Sequence, residues 1–336
     1  MQGIVTKSTG SWYTVRDEAG HFHECRIKGK FRIQGLSTTN PVAVGDRVEF
    51  DPGSGVIGHL FERQNYIIRR ATNLSKQAHI IAANIDQAVL VVTLAQPRTS
   101  LGFIDRFLVT AEAYEIPALL LFNKIDIYTD EGKELLKDIS GIYSNIGYPC
   151  LHVSALQGTH LDQLREALAG KTSLLSGHSG AGKSTLINQL IPGLDLKTAG
   201  ISGSSGKGIH TTTFAEMFEL PPPDHQRLSN EHSLGSSGAG GRVPEPADPA
   251  GQHPEPSGYL IDTPGIKEFG IIDIAKEELS HFFVEMRERF NQCKFDNCRH
   301  INEPGCAVIK AVEAGEIDVS RYESYLSMYD GFDNRA

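Results

Sequence analysis

Several short stretches carry residue types that together could handle a nucleoside triphosphate. GHSGAGKST at 177–185 has the spacing G-x-x-x-x-G-K-[ST]. In such a loop Gly177, Gly180 and Gly182 let the backbone curl, so that the N–H groups running through His178, Ser179, Ala181 and Thr185 can face phosphate oxygens. The helix that follows adds the positive end of its dipole. Lys183 would reach the β- and γ-phosphates, and the Ser184 hydroxyl would bind Mg²⁺. YLIDTPG at 259–265 supplies the acid expected at a strand end: Asp262 would hold Mg²⁺ through water, and the Gly265 N–H would meet the γ-phosphate.

NKID at 123–126 addresses the base. The Asp126 carboxylate can accept from both N1–H and the exocyclic amine of guanine, a donor pair that adenine lacks. Asn123 would address the opposite edge, and the Lys124 stem would cover the ring, with Ile125 between them in the motif. Ser154, Ala155 and Leu156 follow the strand LHV and would offer backbone N–H to the guanine O6. KGIHTTT at 207–213 fits a loop that closes over the metal and γ-phosphate, with Thr211, Thr212 or Thr213 as the Mg²⁺ ligand. Many GTPases place a water-orienting glutamine after the DTPG-type turn. Here that residue is Ile266, which cannot hydrogen-bond water, and His210 is the candidate catalytic group.

A separate cluster, CKFDNCRHINEPGC, spaces Cys293, Cys298, His300 and Cys306 as C-x4-C-x-H-x5-C. Three thiolates and an imidazole make a complete tetrahedral set for one structural Zn²⁺ with no open position. The other two of the five cysteines, Cys25 and Cys150, stand alone and read as inert.

These motifs need a scaffold. Residues 1–70 read as short strands (GIVTKS, WYTVRD, FHECRI, VGDRVEF, VIGHLFE) punctuated by glycines, a small all-β barrel of OB type. That segment carries ten Lys and Arg against seven Asp and Glu, a net +3 within a chain of −9. Trp12, Tyr13, Phe22, Phe31 and Phe50 are interleaved with the charge, either as barrel core or as stacking surface for RNA. From 71 to 275, apolar runs of strand length alternate with helical periodicity, which implies a doubly wound α/β domain. Its Pro-rich stretch 221–257 holds eight of the sixteen prolines and has no apolar pattern, as in a disordered insertion. Residues 276–336 read as a helical, metal-stapled domain, with one helix over EELSHFFVEMRERFNQ and two more after the cysteines.

The motifs run NKID, SAL, GHSGAGKST, HTTT, DTPG. An ordinary G domain begins with the phosphate loop, so this is a circularly permuted P-loop G domain. Strand ends around one ligand survive a change of starting point. With CRIKGKFR and VGDRVEF in the barrel, GKGIHTTT, and the cysteine cluster, the chain resembles the ribosome small subunit-dependent GTPase A family along essentially its whole length. That resemblance implies an OB barrel, a permuted GTPase and a zinc-binding helical domain. It also implies GTP hydrolysis to GDP stimulated by the small (30S) subunit, and contact with 16S rRNA late in its maturation.

No apolar run approaches the roughly 18–20 residues of a membrane span, and MQGIVTKSTG has no signal-peptide character. A cytoplasmic, monomeric protein is expected. Two other functions compete on the sequence: a GTP-gated RNA-binding module with negligible turnover, favoured by Ile266, and a GTP-dependent factor for a non-ribosomal client such as a metallochaperone. Hydrolysis measured with and without 30S subunits separates them.

Overall fold

The computed structural model describes residues 1–27, 41–70, 78–196, 215–222, 256–262 and 274–331. Phe31, Gly265, Ile266, His210 and Thr211–Thr213 lie outside these, as does most of 221–257.

Five strands close the N-terminal barrel: β1 (Gln2–Ser8), β2 (Tyr13–Asp17), β3 (Phe22–Ile27), β4 (Arg47–Asp51) and β5 (Val56–Leu60). They pair in the order β1-β2-β3-β5-β4 and back to β1, with β3–β5 the parallel pair. The core is Val5, Tyr13, Val15, Cys25, Val42, Val48, Phe50 and Ile57. Two of the five aromatics are therefore core, while Trp12 and Phe22 are about half exposed, at 51% and 58%.

A hairpin that the sequence reading did not single out follows, β6 (Tyr66–Arg70) with β7 (Ala78–Ala83). It is tied to the barrel where the Ala83 N–H donates to Val44 O. At Gly45 (φ +89°) a Cβ would strike the Ala83 carbonyl, so only glycine allows this approach.

The central sheet takes the order β10-β9-β8-β11-β13-β12, where β8 is Gln87–Val92, β9 Ala118–Phe122, β10 Cys150–His152, β11 Thr172–Gly177, β12 Glu216–Leu220 and β13 Gly258–Asp262. All neighbours are parallel except β12, which runs antiparallel to β13. Alternate residues of each strand feed two cores. Leu90, Val92, Leu120 and Phe122 pack on α1 (Leu101–Ala113) and α2 (Asp130–Ile146). On the other face Val89, Val91, Leu119 and Leu121 pack on α3 (Leu161–Leu168) and α4 (Lys183–Leu190). Cover on both faces is why QAVLVV is buried at every position. Helix starts follow local chemistry, with Ser100 and Thr129 side chains accepting from Phe103 N–H and Gly132 N–H as N-caps.

Strand β12, also absent from the sequence reading, joins the barrel to this sheet. Lys7 on β1 pairs with Glu216, and Arg16 on β2 forms an ion pair with Glu219. Because β12 and β13 form an antiparallel pair, Leu220 and Gly258 lie opposite each other at the end away from Asp262. Ser257 N–H closes onto Leu220 O there.

The expected single helix over 277–292 is instead three short pieces: a 3₁₀ turn Lys276–Phe282, α5 (Val284–Arg287) and a second 3₁₀ turn Phe290–Gln292. Phe283 breaks it by adopting extended backbone. Its fully buried ring sits edge-on to Tyr325, a tertiary contact that overrides helical propensity. The two later helices form as expected, α6 (Ala307–Glu313) and α7 (Val319–Gly331). Among the described residues no helix is long and apolar enough to cross a membrane.

Candidate nucleotide site and metal centre

The loop between β11 and α4 is shaped by glycines at positive φ. At Gly177 a Cβ would fall 2.6 Å from Val91 O, and at Gly182 it would collide with the Asn123 amide. Lys183 opens α4 and folds back over the loop, its Nζ donating to Gly177 O (2.7 Å) and His178 O (3.0 Å). Burial pushes its pKa down, while the buried carboxylate of Asp262 at the end of β13 pulls it back up. Leu175 and Asp262 are register partners on adjacent strands, so the acid and the phosphate loop share one edge of the sheet. The His178 ring packs against Phe103 of α1, centroids 4.0 Å apart and tilted by 30°. Burial, then Lys183 and Arg106, holds its pKa below the usual histidine range, so it is neutral near pH 7.

Asn123 joins three motifs. Its Nδ2 donates to Ala181 O (2.9 Å) in the phosphate loop, and its Oδ1 accepts from Ala155 N–H (3.0 Å) in the SAL turn. One amide hydrogen is thus used structurally and the second is the one a base edge can take. Ala155 N–H, expected for O6, here points at Asn123. A keto oxygen would share that donor or take the Leu156 N–H, because Gln157 N–H goes to Ser154 Oγ. Asp126 sits in a short 3₁₀ turn, Ile125–Ile127, and accepts from Ser154 Oγ at 2.5 Å. Lys124 adopts left-handed backbone (φ 64°), and its Nζ donates to Gln96 O. For a non-glycine residue that conformation costs about 1–2 kcal/mol.

Two features of the site escaped the sequence reading, Gln96 and Tyr128. Tyr128 is buried, donates to Asn123 O (2.8 Å) and accepts from Leu94 N–H (2.9 Å). No local motif signals it; only the proximity of the end of β8 to the end of β9 does.

The four predicted metal ligands do converge, with ligand atoms all within 4.8 Å of one another. His300 Nδ1 lies 3.7 Å from Cys293 Sγ and 3.4 Å from Cys306 Sγ. These match the donor separations of about 3.4–3.8 Å that tetrahedral zinc–sulfur and zinc–nitrogen bond lengths require. The N–H groups of Ala307 and Ile309 point at the sulfurs of Cys293 and Cys306 and would stabilise thiolate charge. Phe290 stacks on the His300 ring, and Tyr322 OH donates to His300 O (2.8 Å), fixing the ligand's orientation. The set could therefore hold a metal ion.

A parallel sheet with a phosphate loop after β11, and a guanine-type loop two strands earlier in the chain, defines a circularly permuted P-loop GTPase. Family models described as RsgA N-terminal domain and RsgA GTPase match residues 2–58 and 60–224. The chain belongs to the RsgA GTPase family and is a GTP hydrolase. It is 50% identical over 337 residues to the Small ribosomal subunit biogenesis GTPase RsgA of Christiangramia forsetii, covering 98% of this chain and 96% of that one. The protein of the same name from Bacteroides fragilis is also 50% identical, with the same shares covered. Among solved structures, YjeQ from Thermotoga maritima superposes with a TM-score of 0.73 at 35% identity, covering 100% of this chain and 99% of its own. YloQ, titled a circularly permuted GTPase, gives 0.67 at 27%, covering 100% and 96%.

Proposed function

We propose that this chain hydrolyses GTP to GDP and phosphate to time its release from the small (30S) ribosomal subunit late in that subunit's maturation. The observation that carries the nucleotide side is Asn123, whose amide ties the phosphate loop and the SAL turn to NKID in one site. The client is supported by the names of the relatives, which match over nearly the full length.

In this reading residues 177–185 cradle the phosphates, with Lys183 swinging from its own loop carbonyls onto the β- and γ-oxygens. Ser184, Asp262 through water, and one of Thr211–Thr213 would hold Mg²⁺, whose charge would offset that developing on the phosphate oxygens. Asp126, Asn123 and the SAL turn read guanine, and Gly265 meets the γ-phosphate. His210 orients the attacking water when the subunit is bound. The four ligands Cys293, Cys298, His300 and Cys306 hold one structural Zn²⁺.

Three units share the work: barrel 1–70, permuted GTPase 71–275 and helical metal domain 276–336. The barrel's exposed Trp12 and Phe22 and its positive charge suit stacking and phosphate contact with 16S rRNA. The protein acts as a cytoplasmic monomer. GTP turnover by the purified chain with and without 30S subunits tests the reading. Stimulation by the subunit is expected, together with its loss by about 10²–10⁴-fold in His210→Ala; no stimulation of the wild type would refute it.

A further inference from the structure

The loop that reads the base is held in a conformation its own sequence disfavours. Lys124 is left-handed, and the peptide between Asn123 and Lys124 is turned so that Asn123 O faces inward. Tyr128 OH donates to that carbonyl at 2.8 Å and accepts from Leu94 N–H at 2.9 Å. Leu94 belongs to a tight loop: Thr93 Oγ1 donates to Pro97 O (2.5 Å), Thr99 N–H donates to Thr93 O, and the Thr99 hydroxyl accepts from Thr93 N–H. Gln96 of the same loop accepts from Lys124 Nζ. The 93–99 loop thus braces NKID at two points, one through Tyr128 and one through Lys124. Burial of the phenol raises its pKa, so the hydroxyl keeps the proton it donates.

We infer that Tyr128 is a positioning residue for guanine nucleotide. Its hydroxyl fixes the Asn123–Lys124 peptide and presets Asn123, Lys124 and Asp126 before the base arrives. It never touches the nucleotide. Without the hydroxyl the loop would have to be ordered at the expense of binding, and nucleotide affinity would fall. Because the brace acts at the base end, GDP and GTP should lose equally, and the chemistry at the γ-phosphate should be unaffected.

The inference rests on NKID reading the base, so both are tested on the full chain. In Tyr128→Phe, the Kd for GDP and the KM for GTP are expected to rise about tenfold together, the size of one buried hydrogen bond, with kcat at saturating GTP unchanged. Unchanged affinity would overturn the role. So would a loss confined to GTP, or a fall in kcat matching the rise in KM alongside a collapse of the nucleotide-free melting temperature. Asp126→Asn is the separate control: it should weaken GDP far more than xanthosine diphosphate. If it leaves guanine preference intact, the base-reading assignment fails and the role of Tyr128 fails with it, whatever Tyr128→Phe shows.

Discussion

The GTPase core holds its two neighbours with the same kind of bond, wholly buried on one side and partly solvated on the other. The C-terminal region is bolted to α1 by Arg321, which has no exposed surface. Its guanidinium reaches Asp105 at 2.5 Å and Glu285 at 2.8 Å and lies over the Phe283 ring. Tyr143 of α2 donates to the same Asp105 carboxylate. The barrel meets β12 through Arg16–Glu219 and through Lys7–Glu216, whose side chains are 42% and 35% exposed. Water screens the Lys7 pair but cannot reach Arg321. A desolvated ion pair tolerates one arrangement and is costly to break, whereas a solvated one aligns two surfaces at little energy. The barrel therefore sits against β12 through one solvated pair and one whose guanidinium is buried, while α1 and α7 are fixed to each other by a wholly buried one.

The largest test is at the far side of the bolt. On the proposal that the four ligands hold a structural zinc, a chelator or Cys306→Ser should collapse the small core around Leu279, Phe283, Val308 and Tyr325, since such a site supplies on the order of 10 kcal/mol. Zinc content and the near-ultraviolet signal of Tyr322, Tyr325 and Tyr329 report it; intact tyrosine signals in the metal-free protein would show that Arg321 suffices.

Next is Arg321→Ala, which strands Asp105 and Glu285 without their cation and should cost about 3–5 kcal/mol in urea unfolding. A loss below 1 kcal/mol would erase the contrast between the seams.

On the barrel side Lys7→Met should cost less than about 1 kcal/mol, and the loss should shrink further in salt. Arg16→Met, at a buried guanidinium, is expected to cost more than Lys7→Met and less than Arg321→Ala.

The smallest effect concerns the start of α1, where Phe103 packs against His178. The folded pKa of His178 is lowered, so as pH falls through the ordinary value near 6.5 the unfolded chain takes up a proton that the folded chain refuses. Stability should therefore decline with falling pH from about 6.5 down toward the lower folded value. His178→Gln should remove part of that slope, and identical pH profiles for the two proteins would place His178 in water.

Where chemistry depends on spacing within a few residues, the chain was legible. The five barrel strands, the phosphate loop, NKID and the cysteine cluster all declare themselves over short windows. Strand β12 did not, because EMFEL is short, has two acids and takes its strand identity from Ile261, Leu260 and Lys7 across the pairing. The broken helix at 277–292 shows the same limit, since helical periodicity there yields to the burial of Phe283 against Tyr325.

What the sequence determined by itself was the order of the motifs, and with it a permuted GTPase and a four-ligand metal cluster. Short covalent spacing keeps the residues of each motif near one another, within the phosphate loop and within the cysteine cluster. The tertiary structure decided which partners meet across distance. Arg321 finds Asp105 216 positions away, and the Tyr128 hydroxyl finds both Leu94 and Asn123. Such contacts form only because stacked strands and helices place them together and burial then demands that each polar group be satisfied.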